Sequence, residues 1–564
     1  MSELTTTYEW NTLPWQKLER RVFKLQKRIY QASLRGKVKT VRRLQKLMMK
    51  SWSAKCLAVR KVTQDNRGKR TAGIDGVTAL TPKARLTLVN HLQLGDKAAP
   101  SRRVWIPKPG SEEKRPLSIP VMYDRALQAL VKQALEPAWE AKFEKNSFGF
   151  RPGRSCHDAI EAIFLDIKRK SKYILETDVA KCFDQIDHDA LCKKLKASPS
   201  LTRQIRAWLK AGVMDGDLFQ ATPTGAAQGS VISPLLANIA LHGIEKALRR
   251  AFRGARRPTL VRYADDLVVI HRDLAVVEKS QQVLTRWLSR IGLKLKLSKT
   301  KITHTLIRHN GQVGFDFLGF NIRQYPVGKT HSKKGFKTII KPSREAQRRH
   351  LRRIAEMMRT YRALPQAALI HHLNPILRGW ANYFSTVCSK RVFSKIDHQV
   401  YLKLRAWVRR RHPHKSRHWH VHKYWLVDHG GGWTFAARSE QSIMLLFTHV
   451  QTPIKRHTKV QNSRSPYDGD LVYWSRRLGR YPLLRKTVAR LLKKQSGKCA
   501  YCGLIFRSQD LMEVHHLDNN HLNNKQVNLR LIHRHCHDQV HRGMGDKHRA
   551  VEEPCEVKVS RTVL

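Results

Sequence analysis

Apolar and polar residues alternate along this chain in three different ways. Between residues 12 and 62, apolar side chains recur every three or four positions opposite lysine and arginine, and their stripe contains Trp15, Leu18, Val22, Leu25 and Ile29. This spacing predicts amphipathic helices whose apolar side faces a core. From about 71 to 325, short β-like runs alternate with helical ones, as in an α/β or α+β domain. From about 340 to 425 the pattern is helical again.

The later helical region carries its charge almost entirely as cations. One helix face contains Leu351, Ile354, Met358 and Tyr361, and the rest of the same helix is occupied by Arg348, Arg349, Arg352, Arg353 and Arg359. A merely solvated face is the alternative, but charge of one sign favours a nucleic-acid contact. Residues 405–422 are more basic still, and Trp407 and Trp419 among them predict stacking on unpaired bases beside phosphate contacts.

The whole chain is strongly basic. Its 564 residues contain 108 Lys and Arg against 43 Asp and Glu, and the net charge of +65 is spread over most of the length. Solubility needs far less charge, so we expect a large polyanion such as structured RNA or long DNA. The chain has no apolar run of membrane-spanning length, which disfavours a membrane partner. Residues 1–10 lack the features of a secretory signal, so we expect a protein that is not secreted.

Two adjacent carboxylates separate two apolar runs. Asp265 and Asp266 lie between the runs at 259–261 and 267–270, which predicts two buried strands with the acid pair at the turn. Asp178 lies upstream, where another predicted strand ends. Like charges at contact distance repel unless a cation separates them. The three carboxylates together suit two Mg²⁺ ions that bridge a nucleotide triphosphate and a primer 3′-hydroxyl, whereas the pair alone could be a solvated turn.

The motifs around these acids resemble, in order and spacing, those of reverse transcriptases encoded by bacterial or organellar group II introns. Besides the acid-bearing segments 173–184 and 263–266, the matching segments are 72–77, 103–110, 114–120, 146–152, 224–234, 292–300, 314–320 and 373–384. The resemblance implies polymerase fingers and palm, an α-helical thumb or maturase region, and help in splicing the chain's own intron RNA. Ala227 and Ser230 depart from the usual proline and glycine, so we expect altered pocket detail rather than lost activity.

The resemblance also implies roles for single residues. Lys108 and Arg115 would hold the triphosphate, and Phe183 would lie under the sugar and favour deoxynucleotides. The expected substrate-binding set is completed by Gln228, Tyr263 and Lys299. In the thumb we expect Leu377, Trp380 and Phe384 to lie in the core and Arg378 to face RNA.

Cysteines and histidines cluster near the end of the chain. Cys499-x-x-Cys502 with His533-x-x-Cys536 forms a four-ligand set typical of structural Zn²⁺. Such a zinc knuckle would stabilise a module that is too small for a large core. The other six cysteines lack framework spacing, as expected in a reduced, intracellular protein.

The same module resembles the HNH endonuclease motif. His537 and His541 are four residues apart on one helix face and could bind one cation with His515. His516 is then the general base that activates water, and Asn528 would hold its loop in place. We expect Mg²⁺ or Mn²⁺, although histidine ligands also suit Zn²⁺ or Ni²⁺. A second structural zinc site, or a DNA reader that does not cut, is the alternative.

These patterns predict a multidomain α+β protein. Its expected parts are a basic helical extension (1–62), reverse transcriptase fingers and palm (63–335), a thumb or maturase domain (336–430), a DNA-binding region with a linker (431–492), a ββα-metal HNH nuclease with its zinc knuckle (493–550) and a tail (551–564). The linker is expected at 451–470, where Ser, Thr, Asn, Pro and Gly are frequent.

The predicted protein has three activities: RNA-directed DNA polymerase, splicing maturase and endonuclease. Its expected partners are group II intron RNA, double-stranded target DNA and deoxynucleotide triphosphates, and a dimer is one arrangement open to it. We expect it in a bacterial cytoplasm or nucleoid, or in an organelle. Two other functions stay open: an RNA-binding splicing chaperone with a vestigial polymerase, and an HNH nuclease on a basic scaffold.

Overall fold

The computed structural model divides the described chain into two compact units. The described residues are 9–107, 112–427, 433–438, 442–507 and 509–545, so that Lys108 and the tail lie outside them. The first unit contains residues 9–13 and 29–465, and the second contains 14–28 and 466–545. In these residues the structure contains no helix that is both long and apolar enough to cross a membrane.

The N-terminal region is helical. Its helices are α1 (Trp15–Leu34), α2 (Val38–Lys50), α3 (Trp52–Arg60) and α4 (Pro82–His91). Leu18, Val22 and Ile29 of the predicted stripe are buried along α1. The Thr81 hydroxyl accepts a hydrogen bond from the Ala84 amide at 3.2 Å and so begins α4 as an N-cap.

The region predicted as the fingers, a name kept below, follows with two antiparallel strands and two helices. These are β1 (Ser101–Pro107), β2 (Lys114–Ile119), α5 (Met122–Glu140) and α6 (Cys156–Ile167). Arg125 of α5 is buried, and its guanidinium donates to the carbonyls of Gly68, Thr71 and Pro120. Arg125 therefore holds two segments against α5: residues 68–71, which precede α4, and Pro120, which follows β2.

The region predicted as the palm, a name kept below, contains a sheet of five antiparallel strands with helices packed on it. Its elements are β3 (Tyr173–Ala180), α7 (Cys182–Gln185), α8 (His188–Leu195), α9 (Pro199–Lys210), β4 (Val213–Asp215), β5 (Leu218–Gln220), α10 (Ser233–Leu241), α11 (Ile244–Ala251), β6 (Thr259–Tyr263), β7 (Asp266–His271), α12 (Leu274–Ser289), β8 (Lys294–Leu295), β9 (Lys301–His304), β10 (Phe315–Phe317), β11 (Phe320–Pro326) and β12 (Phe336–Pro342). The five-stranded palm sheet has the order β6-β7-β3-β8, with β9 also paired to β3, and β10, β11 and β12 form a separate three-stranded sheet. β4 and β5 belong to the fingers sheet, whose order is β2-β1-β4-β5. The predicted strands on either side of the acid pair are thus β6 and β7.

The region predicted as the thumb, a name kept below, consists of helices with a small sheet beside them. It contains α13 (Arg344–Thr360), α14 (Gln366–Phe384), α15 (Lys390–Arg411), α16 (Arg417–Tyr424), β13 (Trp425–Val427), β14 (Trp433–Arg438) and β15 (Ile443–Leu445). Leu377 and Phe384 are buried, as expected, and Trp380 stacks on His350 with 4.5 Å between ring centroids. The guanidinium of Arg378 lies 5.4 Å above the Phe447 ring.

One expectation for the thumb is wrong. Trp407 is only 6% exposed and belongs to the thumb core, so its ring cannot stack on unpaired bases. It continues the buried stripe of Val400 and Leu404 along α15, which a count of basic neighbours does not reveal. Trp419 is half-buried and lies beneath two ammonium groups, those of Lys415 and Lys423.

The expected linker is irregular in structure but fixed at several points. The Lys455 amide donates to the Ser385 carbonyl, and the Val460 amide donates to the buried carboxylate of Asp158 on α6. The boundary between the compact units follows Ser465, inside the stretch predicted as a linker.

The second unit combines helices with a two-stranded sheet. Its further elements are α17 (Leu471–Leu478), α18 (Lys486–Lys494), β16 (Met512–His516), β17 (Leu529–His533) and α19 (Arg534–Gly545). The two strands are antiparallel, and a core that includes Leu492, Phe506 and Leu531 joins them to α18.

Candidate functional site

The acid pair lies at a tight turn between β6 and β7. Tyr263 pairs with Asp266 across the two strands, and Ala264 adopts a left-handed backbone with φ of 57°. A side chain on Gly149 would collide with the backbone of Ala264, so only glycine fits there. Close backbone contact between Gly149 and Ala264 therefore holds the turn in place.

The structure brings the three predicted carboxylates together. Asp178 of β3 is the direct register partner of Asp266 in β7, and Asp265 precedes it in the turn. Directly opposed residues point to the same face of a sheet. Burial, together with the charges of Asp265 and Asp178, raises the pKa of Asp266 to about 7, and burial also raises the pKa of Asp265. Divalent cations between these groups would relieve the repulsion.

Two of the predicted cations are near this cluster. The Lys299 ammonium donates to Asp178 Oδ2 at 2.8 Å, and this hydrogen bond raises the pKa of Lys299. Arg115 is exposed on β2, and its charge acts on Asp265 in the direction that lowers the carboxyl pKa. The predicted partner of Arg115, Lys108, is outside the described residues.

In the predicted nucleotide pocket, the loop in segment 224–234 contacts the backbone of α7 and of β2. The ring of Phe183 meets Phe150 edge to face at 6.4 Å. Gly225 has a φ of 91°, and a side chain there would come within 2.6 Å of the Asp184 carbonyl. The Ser118 amide of β2 donates to the Gln228 carbonyl at 2.6 Å. The loop thus joins α7 to the fingers sheet.

Ser230, one of the two departures from the family pattern, has a structural partner. Its buried hydroxyl donates to Gln128 Oε1 at 2.8 Å, and the Val231 amide donates to the same oxygen at 3.1 Å. The serine therefore fastens the pocket loop to α5. The carbonyl of Ala227, the other departure, accepts the Ser230 amide.

A buried arginine, which the sequence pattern did not predict, supports the acid turn. Arg262 is 1% exposed, and its guanidinium donates to Asn238 Oδ1 at 2.9 Å and to the Ala264 carbonyl at 3.1 Å. Asn238 in turn donates to the Gly149 carbonyl at 2.8 Å. Burial lowers the pKa of Arg262 to about 10, so it stays charged at neutral pH. Arg262 interrupts an otherwise apolar strand segment, and this charged residue among apolar ones could have predicted a buried role.

One further acid, which the sequence pattern did not predict, lies next to the triad. Glu176 precedes Asp178 by two residues on β3 and therefore shares its face. Burial, and then the charge of Asp316, raises the pKa of Glu176 to about 7. The i, i+2 spacing on a predicted strand could have revealed this carboxylate.

In the second unit, the structure assembles the predicted four-ligand set. The ligand atoms of Cys499, Cys502, His533 and Cys536 all lie within 4.8 Å of one another. His533 ends β17 and Cys536 is in the first turn of α19, so the junction brings both side chains to one place. Although burial raises it, backbone hydrogen bonds lower the pKa of the Cys499 thiol to about 7. Thiolates with a lowered pKa are suitable ligands for Zn²⁺.

A second cluster contains the three other histidines expected to bind a cation. Ligand atoms of His515, His537 and His541 lie within 4.8 Å of one another, and the Nε2 atoms of His537 and His541 are 3.2 Å apart. Glu513 Oε2 lies 3.0 Å from His537 Nδ1 and orients that ring. His516 is outside the cluster because successive strand residues point to opposite faces.

His516 and Asn528 lie beside one loop. Both ring nitrogens of His516 are buried without a hydrogen-bond partner, and its ring meets His521 edge to face at 5.1 Å. The Asn528 amide donates to Asp518 Oδ1 at 2.7 Å and to the Asn523 carbonyl at 2.9 Å. Asn528 thus fixes the loop that follows His516.

The thumb presents a basic groove between α15 and α16. Its cavity of about 820 Å³ is lined by cations and rings, among them Arg405, Arg409, Arg410, Lys415, Arg417, Tyr401 and Trp425. The five arginines singled out on α13 are exposed as well. Phosphate groups are the natural partners of such a surface.

Three family models match successive parts of the chain. Residues 10–92 match the N-terminal domain of reverse transcriptase, residues 106–322 match reverse transcriptase (RNA-dependent DNA polymerase), and residues 347–425 match the group II intron, maturase-specific domain. The second match contains all three clustered carboxylates, and the third contains the basic thumb groove.

Individual proteins are similar over different lengths. Protein YkfC of Escherichia coli (strain K12) is 33% identical over 308 residues, which cover 46% of this chain and 78% of YkfC. Group II intron-encoded protein LtrA of Lactococcus lactis subsp. cremoris is 36% identical over 190 residues, 32% of this chain and 31% of LtrA. Maturase-like protein 1 of Euglena gracilis is 28% identical over 386 residues, 65% of this chain and 76% of that protein.

Proposed function

The chain belongs to the family of group II intron reverse transcriptases and maturases, and from this premise we propose that Asp178, Asp265 and Asp266 are its polymerase metal ligands. The register pairing of Asp178 with Asp266 carries the proposal, because it puts these two carboxylates on one face and leaves Asp265 beside them in the turn. Mg²⁺ bound there would lower the pKa of the primer hydroxyl and neutralise triphosphate charge.

The remaining residues position the substrates. Arg115 and Lys108 bind the triphosphate, and Lys299 holds the Asp178 carboxylate in one orientation until the substrates enter. Phe183 lies under the sugar and excludes a 2′-hydroxyl. Tyr263 and Gln228 line the pocket, where the buried Arg262 keeps the turn rigid.

Primer extension tests the polymerase proposal. The full-length protein should extend a DNA primer on an RNA template with Mg²⁺ and deoxynucleotides, and Asp265→Asn with Asp266→Asn should abolish extension. Extension that survives this change overturns the assignment. If the unmodified protein extends nothing, the chain is a splicing chaperone with a vestigial palm.

We also propose that the groove between α15 and α16 contacts the intron RNA during splicing. Changing Arg405 and Arg409 to Gln should weaken protein-assisted splicing of a group II intron transcript at low Mg²⁺. A matched control is the change of Arg391 and Lys395 to Gln on the same helix, since neither residue lines the groove. Equal losses in both variants would contradict the proposal.

For the second unit we propose a structural Zn²⁺ at Cys499, Cys502, His533 and Cys536, and an HNH nuclease at the histidine cluster. His515, His537 and His541 would hold the catalytic cation, His516 would activate water, and Asn528 would position its loop. Nicking of target DNA would supply the primer from which the polymerase copies the inserted intron.

Crossed variants separate the two activities. His516→Ala should abolish nicking of double-stranded DNA but leave primer extension intact, and the Asp265/Asp266 variant should do the reverse. Nicking that persists in His516→Ala favours a purely structural role for these histidines. Loss of both activities in one variant would indicate misfolding, which thermal unfolding detects.

A further inference from the structure

The palm carries a second basic cavity, separate from the carboxylate site. It encloses about 570 Å³ between the end of α8 and the helices α11 and α12. Five cations line it: Lys194, Lys246, Arg250, Arg286 and Arg290. Its lining contains no acidic side chain in the described part of the chain, so its charge is of one sign.

Helix geometry explains why these cations converge. Lys246 and Arg250 are four residues apart on α11, and Arg286 and Arg290 are four apart at the end of α12, so each pair shares one helix face. The opposite side of α12 is buried against the palm sheet through an apolar stripe that includes Leu284. Like charges at this spacing destabilise an isolated helix, and an anion would relieve the repulsion.

Two acids close to the cavity, Glu245 and Glu144, already have partners. Glu245 pairs with Arg249 at 3.3 Å, and neither residue lines the cavity. Glu144 accepts hydrogen bonds from the Gly243 amide at 2.6 Å and lies 3.1 Å from His242 Nδ1. The exposed cations of the cavity therefore keep their charge for a partner outside the chain.

One wall of the cavity suits a nucleotide. Trp287 is half-buried there, and the ammonium of Lys194 lies 4.8 Å from its ring centroid while donating to the Ala240 carbonyl. Gly243 has a φ of 101°, and a side chain at this position would touch the indole. An accessible indole beside arginines combines stacking with phosphate binding, as in RNA-binding sites.

We infer that this cavity is a second contact site for the folded intron RNA, holding its phosphate backbone between α11 and α12. The inference rests on the proposed role of the chain as the partner of that RNA. Two cation pairs facing each other span more than one phosphate, which favours a strand of nucleic acid over a small anion.

Two double variants test the inference with equal charge loss. Arg250→Gln with Arg286→Gln removes one cation from each wall, whereas Arg249→Gln with Lys279→Gln removes two exposed cations from the same helices outside the lining. The probe is an in vitro transcript of a group II intron, titrated by filter binding at several salt concentrations. We expect the first variant to bind roughly tenfold more weakly at physiological salt, with a salt slope shallower by about one or more.

The outcomes are distinguishable. The control variant should bind like the unmodified protein, and Arg250→Lys with Arg286→Lys should restore most of the affinity because the charge is kept. All variants should extend a short oligo(dT) primer on poly(rA) normally. If the unmodified protein does not bind the transcript, the proposed function fails. If both double variants lose affinity equally, or the cavity variant loses only duplex DNA binding, the cavity inference alone is overturned.

Discussion

Asp178 and Asp266 face each other directly across β3 and β7, although they are 88 positions apart in the sequence. Antiparallel pairing points both side chains to one face, and the turn adds Asp265 beside them. The resulting charge is costly to maintain without cations, and this makes stability of the first unit a probe of metal binding.

Asp266→Asn should stabilise the metal-free protein while abolishing DNA synthesis. The folded-state pKa of Asp266, about 7, exceeds the ordinary value of 3.8, so this carboxyl lowers stability progressively as pH rises from 3.8 to about 7, and its full cost is present above pH 7. Removing the charge should raise the thermal midpoint at pH 8 and reduce the shift caused by Mg²⁺. We expect polymerase activity to fall by roughly 10²-fold or more.

Thermal unfolding with and without Mg²⁺ provides the measurement. Asp189→Asn is the matched control, because that carboxylate is exposed and pairs with Arg206 on the surface. An Mg²⁺-induced shift in Asp266→Asn as large as in the unmodified protein would argue against ligation by Asp266.

Phe183→Val should weaken discrimination against ribonucleotides. A smaller side chain removes the steric conflict with the 2′-hydroxyl, so we expect the ratio of kcat/KM for deoxynucleotides over ribonucleotides to fall roughly tenfold or more. Phe219→Val, which alters an exposed ring in the fingers sheet, should leave the ratio unchanged. Single-nucleotide incorporation assays give the ratio directly.

Cys536→Ser should release zinc and destabilise the second unit selectively. The Cys536 thiol lies within the four-ligand cluster, and loss of one thiolate weakens a site whose binding energy contributes to folding. Zinc content and limited proteolysis of residues 466–545 measure the effect, and primer extension should persist. Cys388→Ser changes an exposed cysteine outside the cluster and should leave both measurements as they were.

His350 should make the first unit sensitive to acid. Burial, and then the charge of His449, lowers the pKa of His350 to about 3. Below the ordinary value of 6.5 the unfolded state binds a proton that the folded state does not, so stability falls as pH decreases from about 6.5.

The variant His350→Gln isolates this contribution. Gln keeps a polar contact for His449, which lies 2.9 Å from His350 Nε2, but cannot titrate. The slope of unfolding free energy against pH between 6 and 4 should decrease by about 1 kcal/mol per pH unit. The exposed His398→Gln should keep the original slope; if it alone flattens the slope, the prediction is wrong.

Local sequence patterns predicted the parts of this protein that depend on short spacing. Apolar runs at 259–261 and 267–270 predicted β6 and β7. A short apolar segment of this length forms a strand in order to bury its side chains, so the local pattern is sufficient. The CxxC and HxxC spacings selected four ligands that the fold then brings within 4.8 Å. Residue type and spacing sufficed because each motif lies within one turn, helix or strand end.

Only the tertiary structure decided which side chains lie between elements distant in the sequence. Tryptophan among basic residues is typical of a base-stacking site, but the packing of α15 against the neighbouring thumb elements buries Trp407. Arg262 and Asn238 support the acid turn through contacts 24 positions apart, and the cations of α11 and α12 share a cavity only because the helices pack together. The sequence determined the chemistry available at each position, and long-range packing determined which groups meet and which are removed from solvent.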